Sequence, residues 1–260
     1  MTAPPRIVSL APTQTEIIAA LGLLENLEGV TENCDYPPAV ASLPKFGSWH
    51  SPDLGRTIRC NPDVACTFGK HQEEFRDTLE ESGIKTCHGD PPTIEAARGC
   101  IREMAALFGR PERGERLIAG LVRRLERIRE RIESAPSRHV PAVLRIMNWE
   151  PFITVGPGAF QHDVIEFAGG RNVFADGPAP YFVRDPAQAR ARDPEVIFFC
   201  EPAILTLLER DPEWKKVSAV KNGRVHVFDC GLTCRSGPRI VDMAEQLNGV
   251  LMGRRGKEQE

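Results

Sequence analysis

The chain has 260 residues, of which 41% are hydrophobic and 27% are charged, and its formal net charge is -3. These values are ordinary for a globular protein, and the charge gives no reason to expect a nucleic acid or an anionic membrane as partner. No apolar run approaches the roughly 18 residues that a bilayer-spanning helix needs. Residues 1–6 contain neither the basic nor the apolar segment of a secretory signal. We therefore expect no export signal in this sequence, although removal of a signal would leave the same chain.

Strands and helices alternate along the first half. A strand at residues 6–10 leads into Thr13-Gln14-Thr15-Glu16, a capping-box pattern that predicts a helix beginning there and ending near Leu21. A proline-rich loop follows. The next predicted elements are an α/β unit, a helix, a strand and a helix, at residues 52–68, 72–81, 84–87 and 93–108.

The longest predicted helix covers residues 112–134, in the middle of the chain. Its apolar residues recur at spacings of three and four, which places them on one helical face: Leu117, Leu121, Leu125, Ile128 and Ile132. Arginines and glutamates alternate over the remaining surface, which is typical of a solvated face with ion pairs. At 1.5 Å per residue such a helix is roughly 35 Å long, so we expect a rigid connector between two halves.

The second half repeats the alternation, with predicted strands at 142–147, 196–200 and 225–228 and helices at 163–168 and 238–251. One pattern occurs in both halves. Asn61-Pro62-Asp63-Val64 and Asp193-Pro194-Glu195-Val196 each precede a short apolar run that reads as a buried strand. Chance also produces such junctions, because proline and aspartate are common before strands. The repeat nevertheless favours two similar α/β lobes and a ligand cleft between them.

The eight cysteines are scattered along the chain. Cys66 and Cys200 lie in strand-like apolar runs, where cysteine acts as a small hydrophobic residue. Cys230 and Cys234 form the only tight pair, but their spacing does not match a Cys-x-x-Cys motif and two thiols alone cannot hold a metal cluster. We expect free thiols, which favour a reducing compartment. The sequence leaves the redox state of this pair open.

The common catalytic motifs are absent, so we expect a binding protein and not an enzyme. The six histidines never fall at ligand spacing on one helix. His50 differs from the others, since it follows Trp49 in a loop rich in glycine and serine. Aromatic residues near strand ends and loops suit a cleft for a large, flat, partly apolar molecule, although each alone is more typical of a core. They are Trp49, Phe68, Trp149, Phe152, Tyr181 and Phe182.

Four motifs in order along the chain carry a family resemblance. They are Arg6-Ile-Val-Ser-Leu-Ala-Pro-Thr-Gln-Thr-Glu16, Asp35-Tyr-Pro-Pro38, Ala168-Gly-Gly-x-Asn172 and Arg235-Ser-Gly-Pro-Arg239. Together they resemble the periplasmic substrate-binding proteins of vitamin B12 and ferric-siderophore ABC importers, the helical-backbone metal receptors, with the cobalamin binders as the nearest match. The resemblance implies an α/β fold of two Rossmann-like lobes bridged by a single long α-helix, with the ligand cleft between the lobes. It predicts an N-terminal lobe at 5–110, a connecting helix at 111–135 and a C-terminal lobe at 139–253.

The resemblance also implies ligand contacts, by matching position. These are Pro12, Thr13, Asn33, Trp49, Phe68, Phe152, Tyr181 and Arg235. The two rings Trp49 and Tyr181 would face a corrinoid macrocycle, and Arg235 would bond an amide carbonyl or a phosphate. To this set we add His50, which has no histidine counterpart in the cobalamin binders, as a contact and as a candidate axial ligand to bound cobalt.

The chain departs from the family pattern at positions that concern the ligand and, separately, at positions that concern transport. An aspartate that accompanies the arginine in cobalamin binders is Gly231 here, and Phe68 and Tyr181 replace tryptophans, so ligand class transfers better than ligand identity.

The family docks on its membrane partner through one glutamate per lobe, and Gly55 and Ala187 stand at the matching positions. Asp53 and Asp185 lie two residues earlier and are the acids expected to substitute. The alternative is that each aspartate only caps a helix.

We therefore expect a monomeric, non-enzymatic protein that binds a corrinoid (cobalamin or cobinamide) or a related metal chelate without a covalent cofactor. Its expected role is delivery to an ABC importer in the periplasm or cell envelope. Two alternatives stay open. One is an intracellular corrinoid or tetrapyrrole carrier or sensor that does not dock, which agrees with the free cysteines and the missing signal. The other is a two-lobed chelatase-like enzyme.

Overall fold

The computed structural model describes residues 5–136 and 139–253. Within that part of the chain, contacts divide the protein into two compact units. The first unit takes the described residues within 1–91, 95–121 and 235–238, and the second takes those within 92–94, 122–234 and 239–260. No helix in the described ranges is long and apolar enough to cross a membrane.

The first unit contains one four-stranded sheet in the order β2-β1-β3-β4. All its pairings are parallel. Its strands are β1 Ile7–Ser9, β2 Leu27–Val30, β3 Val64–Phe68 and β4 Thr86–Gly89. Its helices are α1 Pro12–Ala20, α2 Leu54–Cys60, α3 Glu73–Glu81 and α4 Ile94–Leu107, of which α4 begins at the unit boundary. Buried apolar side chains form the core beside the sheet, among them Val8, Leu10, Phe46, Ala65, Leu79 and Ile84.

Helix α5, Pro111–Glu133, is the helix predicted in the middle of the chain, and it is continuous. The division between the two units falls inside it, after Leu121. Its buried face consists of Ile118, Leu121, Leu125 and Ile128. The predicted stripe is therefore confirmed at Leu121, Leu125 and Ile128, whereas Leu117 and Ile132 are half-buried and Ile118 is an additional buried member.

The second unit is built on a six-stranded mixed sheet in the order β10-β9-β5-β6-β8, with β7 paired to β5. Its strands are β5 Ala142–Asn148, β6 Ile153–Val155, β7 Arg171–Asn172, β8 Tyr181–Val183, β9 Val196–Phe199 and β10 Val225–Val227. Pairings of β5, β7, β9 and β10 are parallel, whereas β6 and β8 continue the sheet antiparallel. Its helices are α6 Phe160–Phe167, α7 Pro186–Ala191, α8 Ala203–Arg210, α9 Ser218–Lys221, α10 Cys230–Thr233 and α11 Ile240–Leu251. The α/β class predicted from the sequence is confirmed in both units.

In both units the residue before the proline of the repeated motif has a left-handed φ. Asn61, the residue after α2, has a φ of 48°, and Asp193, two residues after α7, has a φ of 42°. Such left-handed values are uncommon for residues other than glycine, and asparagine and aspartate tolerate them best. In each case the proline comes next and leads into a buried strand, β3 or β9. The helix–proline–strand repeat is therefore a structural repeat and not a chance of composition.

The capping box predicted at Thr13–Glu16 is wrong. Helix α1 begins at Pro12 with Ala11 as its N-cap, and no side chain caps it. Proline favours the first helical position because it lacks the N–H that would go unpaired there. Thr15 Oγ1 instead donates to Ser9 Oγ at 2.8 Å, and the side chain of Glu16 pairs with Arg235. Polar residues that look like a cap are therefore used in tertiary contacts.

Candidate functional site

The contacts predicted in the first unit lie where its parallel strands end. Pro12 and Thr13 follow β1, Asn33 follows β2, and Phe68 is the last residue of β3. Parallel strands place their carboxyl ends at the same edge of a sheet, and that edge is where open α/β sheets bind ligands. Thr13 is buried, whereas Pro12 and Phe68 are half-buried and Asn33 is exposed. The structure thus places these four positions at one edge.

Gln72 holds this edge together, and the sequence did not single it out. Its side chain is fully buried. The amide nitrogen donates to the carbonyl oxygens of Leu10 and Trp49, both at 2.8 Å. Its Oε1 accepts from the backbone N–H of Phe68 at 2.9 Å. One glutamine therefore links the segment after β1, the Trp49 loop and the end of β3.

The Trp49 loop presents a cluster of rings. The Trp49 ring lies 4.4 Å from the His50 ring and 5.7 Å from the His71 ring, measured between centroids. The two imidazoles are 6.3 Å apart. Trp49 is half-buried and both histidines are exposed. Asn33 Oδ1 accepts from the Trp49 backbone N–H at 2.7 Å, so two predicted contacts are joined directly. His71 is a new member of this surface.

Titratable groups continue the edge beyond Phe68. His88 Nδ1 is hydrogen-bonded to Thr67 Oγ1 at 2.9 Å across β3 and β4. Burial, with a smaller contribution from the nearby Arg76 charge, lowers the pKa of His88. Partial desolvation raises the pKa of Asp90, against the opposing effect of His88 and His71. The sequence signal for these residues was only their position after a predicted strand.

Arg235 is engaged within the first unit. Its guanidinium donates to Glu16 Oε1 at 2.9 Å and to both carboxylate oxygens of Asp35, at 2.6 and 3.0 Å. A further bond goes to the Asn33 carbonyl at 3.1 Å. The side chain is only 11% exposed. Arg235 therefore positions the Asn33 loop, and Glu16 and Asp35 supply the negative charge that the glycine at position 231 cannot.

The contacts predicted in the second unit divide into one exposed and one buried residue. Tyr181 on β8 is 48% exposed, and its hydroxyl donates to Gln161 Oε1 at 3.1 Å. Gln161 in turn donates to the Thr233 carbonyl at 3.0 Å. Phe152 is 3% exposed, with its ring 6.0 and 6.1 Å from the rings of Trp149 and Trp214. The expected ligand contact of Phe152 is corrected, because core packing leaves its ring almost no exposed surface.

The two aspartates proposed for docking both cap helices. Asp53 Oδ1 accepts from the Arg56 backbone N–H at 2.8 Å at the start of α2. Asp185 Oδ1 accepts from the Ala187 N–H at 2.8 Å at the start of α7. Both carboxylates are exposed. Capping and docking are compatible, because one oxygen of each carboxylate is left for another partner.

These observations define a two-unit α/β substrate-binding protein, with an aromatic and imidazole surface at a strand edge of the first unit. The chain belongs to the periplasmic binding protein family, whose sequence pattern matches residues 7–230. It is 29% identical over 250 residues to the vitamin B12-binding protein of Photorhabdus laumondii, covering 94% of this chain and 87% of that protein.

Two solved structures are similar over nearly their whole length. The periplasmic vitamin B12 binding protein of Vibrio cholerae has a TM-score of 0.84 and 26% identity, covering 98% of this chain and 99% of that one. The periplasmic heme-binding protein RhuT from Roseiflexus sp. RS-1 has a TM-score of 0.85 and 25% identity, covering 97% and 99%. The fold and the substrate-binding role predicted from the sequence are therefore confirmed.

We expect Gln72→Leu to lower the free energy of unfolding by about 3 kcal/mol or more, because it leaves three backbone partners unpaired and each buried unpaired group costs about 1–3 kcal/mol. Urea unfolding followed by circular dichroism measures this loss. The matched control is Gln188→Leu, at an exposed position on α7, which should change stability by less than about 0.5 kcal/mol. Equal stability of the two variants would contradict the role assigned to Gln72.

Proposed function

We propose that this protein binds a corrinoid of the vitamin B12 type and delivers it to an ABC importer. The observation that carries the proposal is similarity to vitamin B12-binding proteins over nearly the full chain. A corrinoid is a large ring with amide side chains and a central cobalt. It calls for an aromatic face, amide-binding groups and a nitrogen donor for the metal.

Trp49 supplies the aromatic face in this proposal. Its backbone is fixed on both sides, by Asn33 at the N–H and by Gln72 at the carbonyl. The ring is half-buried, so part of its face is open. A loop fixed before binding loses little conformational freedom on binding, which favours affinity. Pro12, Thr13, Asn33, Phe68 and Tyr181 complete the proposed contact set.

His50 supplies the nitrogen donor. Its exposed imidazole stands beside Trp49, at 4.4 Å between ring centroids. Neutral imidazole is a good ligand for late first-row metals, cobalt among them.

Arg235 and Phe152 are left out of the contact set. The first is neutralised by Glu16 and Asp35, and the second is packed in the core.

Haem is the second candidate ligand. The solved haem-binding protein RhuT is 25% identical to this chain, and haem is likewise a flat macrocycle with axial positions. His50 and His71, 6.3 Å apart, would suit an iron ligand as well as a cobalt ligand. Absorbance titrations of the protein with cobalamin, cobinamide, haem and a ferric siderophore distinguish these ligands. A chain that binds haem and no corrinoid refutes the leading proposal.

For location we propose the periplasm or cell envelope, in line with the family. The intracellular carrier is the alternative. Fractionation of the native cells, with immunodetection of the chain, decides between them. Insertion of cobalt into a metal-free tetrapyrrole by the purified protein would instead support the chelatase-like alternative.

Trp49→Ala should weaken cobinamide binding by about 1–3 kcal/mol, roughly 5- to 150-fold, because a stacked aromatic surface is lost. The melting temperature should change little, since the backbone bonds of residue 49 do not need the ring. Isothermal titration calorimetry measures the affinity. The control is Val140→Ala, at an exposed residue before β5. Unchanged binding by a folded Trp49→Ala protein would remove Trp49 from the site.

His50→Ala should alter the visible bands of bound aquocobinamide that report axial ligation, because the cobalt would bind water where it bound imidazole. Cobinamide is the probe because it lacks its own nucleotide base. His139→Ala is the control, at an exposed histidine hydrogen-bonded to Glu195 in the second unit. Identical spectra of wild type and His50→Ala at equal occupancy would show that His50 does not bind the metal.

Asp53→Asn combined with Asp185→Asn should reduce corrinoid uptake through a vitamin B12 ABC importer reconstituted in vesicles. Asparagine keeps most of the capping ability, so stability and ligand affinity should persist while the docking charge is lost. The control exchanges two other exposed acids, Glu126→Gln and Glu209→Gln. If wild-type protein never stimulates uptake, delivery is refuted and the carrier alternative gains.

A further inference from the structure

Three thiols converge in the second unit, although the sequence separates them. Cys200 follows β9, and Cys230 and Cys234 begin and follow α10. The Cys230 and Cys234 sulfurs are 3.5 Å apart, and those of Cys200 and Cys234 are 3.8 Å apart. All three lie within 4.8 Å of one another. The expectation that Cys230 and Cys234 are only a pair is therefore corrected, because Cys200 joins them.

The separations match the edges of a metal site. Zinc binds thiolate sulfur at about 2.3 Å in a tetrahedral arrangement, which sets neighbouring sulfurs about 3.8 Å apart. Two of the observed separations are 3.5 and 3.8 Å. A disulfide would need them at about 2.05 Å. The arrangement therefore suits three ligands around one ion without large movement of the backbone.

The three cysteines extend from hydrogen-bonded secondary structure. Strand β9 is buried along its whole length and pairs with β5 and β10, so Cys200 extends from a fixed strand. Asp229 caps α10 by accepting from the Leu232 N–H at 3.2 Å. The Cys234 N–H donates to the Cys230 carbonyl at 3.0 Å, so the two cysteines are one helical turn apart and on the same face.

Arg145 places a buried positive charge next to the three thiols. Its side chain is fully buried on β5, and its Nη1 donates to the Ile146 carbonyl. In the described part of the chain no carboxylate forms a salt bridge with it. Its Nη2 lies 3.6 Å from the Cys200 sulfur and 3.9 Å from the Cys234 sulfur. The guanidinium also lies 5.3 Å from the centre of the Phe198 ring. A buried cation without a counter-charge is costly, and thiolates are the negative groups within reach.

We propose that Cys200, Cys230 and Cys234 form a binding site for a divalent thiophilic cation such as Zn²⁺. Three thiolates and one divalent cation carry one net negative charge, which the Arg145 guanidinium balances. Cys230 and Cys234 are exposed, so the fourth position of the ion is open to water or to a further ligand. All three cysteines belong to the second unit, and the proposal does not rest on the proposed corrinoid function.

The test uses the full chain, reduced and free of corrinoid. Zn²⁺ affinity is measured by competition with a chromophoric chelator, and the coordination by X-ray absorption of the zinc-loaded protein. We expect one ion per chain with three sulfur ligands at about 2.3 Å. Cys200→Ser and Cys230→Ser should each weaken binding by at least about tenfold. Cys60→Ser, at a half-buried cysteine of the first unit, should leave it unchanged.

Cys230→Ser guards against misfolding, because its side chain is exposed and its loss leaves the strand intact. Melting temperatures of all variants are compared without metal. A reduced wild-type chain that binds no Zn²⁺ overturns the proposal, and so does Zn²⁺ binding that survives both Cys200→Ser and Cys230→Ser. Because no corrinoid is present, neither result bears on the proposed transport function.

Discussion

Parallel pairing of the strands is the constraint on which the candidate sites depend. A parallel strand must be followed by a crossover, so every strand of the first sheet ends at the same edge and the chain continues from there. Pro12, Asn33 and Phe68 therefore share an edge although they lie at the ends of different strands. The same rule brings Cys200 and Cys230 together after β9 and β10, which pair directly. The direction of the strands decides where chemistry can be placed.

The loops at this edge lie outside the strands of the sheet, and buried polar side chains help to fix them. Gln72 does this for the Trp49 loop, with three hydrogen bonds to backbone groups. Arg235 does it for the Asn33 loop, through Asp35, Glu16 and a backbone carbonyl. Each buried partner would cost free energy if left unpaired, so the loops are held in one conformation. A ligand-binding surface that is fixed beforehand spends less of its binding energy on ordering.

The two halves of the protein use the same repeat and differ in chemistry. Each contains a helix capped by aspartate, a left-handed residue, a proline and a buried strand. After β3 the first unit continues with a histidine-containing turn, whereas after β9 the second unit continues with Cys200. In the second unit the buried Arg145 adds a positive charge beside that strand end. A common framework thus presents imidazole groups at one strand edge and thiols at another.

Local patterns in the sequence predicted the α/β class, the repeat and a long helix at 112–134, which the structure has at Pro111–Glu133. They could do so because helical and strand periodicities arise from neighbours along the chain. The motif resemblance added the family and most of the edge residues. Tertiary structure alone decided the partners: Arg235 with Glu16 and Asp35, Gln72 with the Trp49 loop, Phe152 in the core and Cys200 beside Cys230 and Cys234. Those pairs lie far apart in sequence, and they meet only after strand order and loop closure have set which segments adjoin. For that reason the sequence determined the elements and the kind of protein, whereas the tertiary structure decided which side chains could act together.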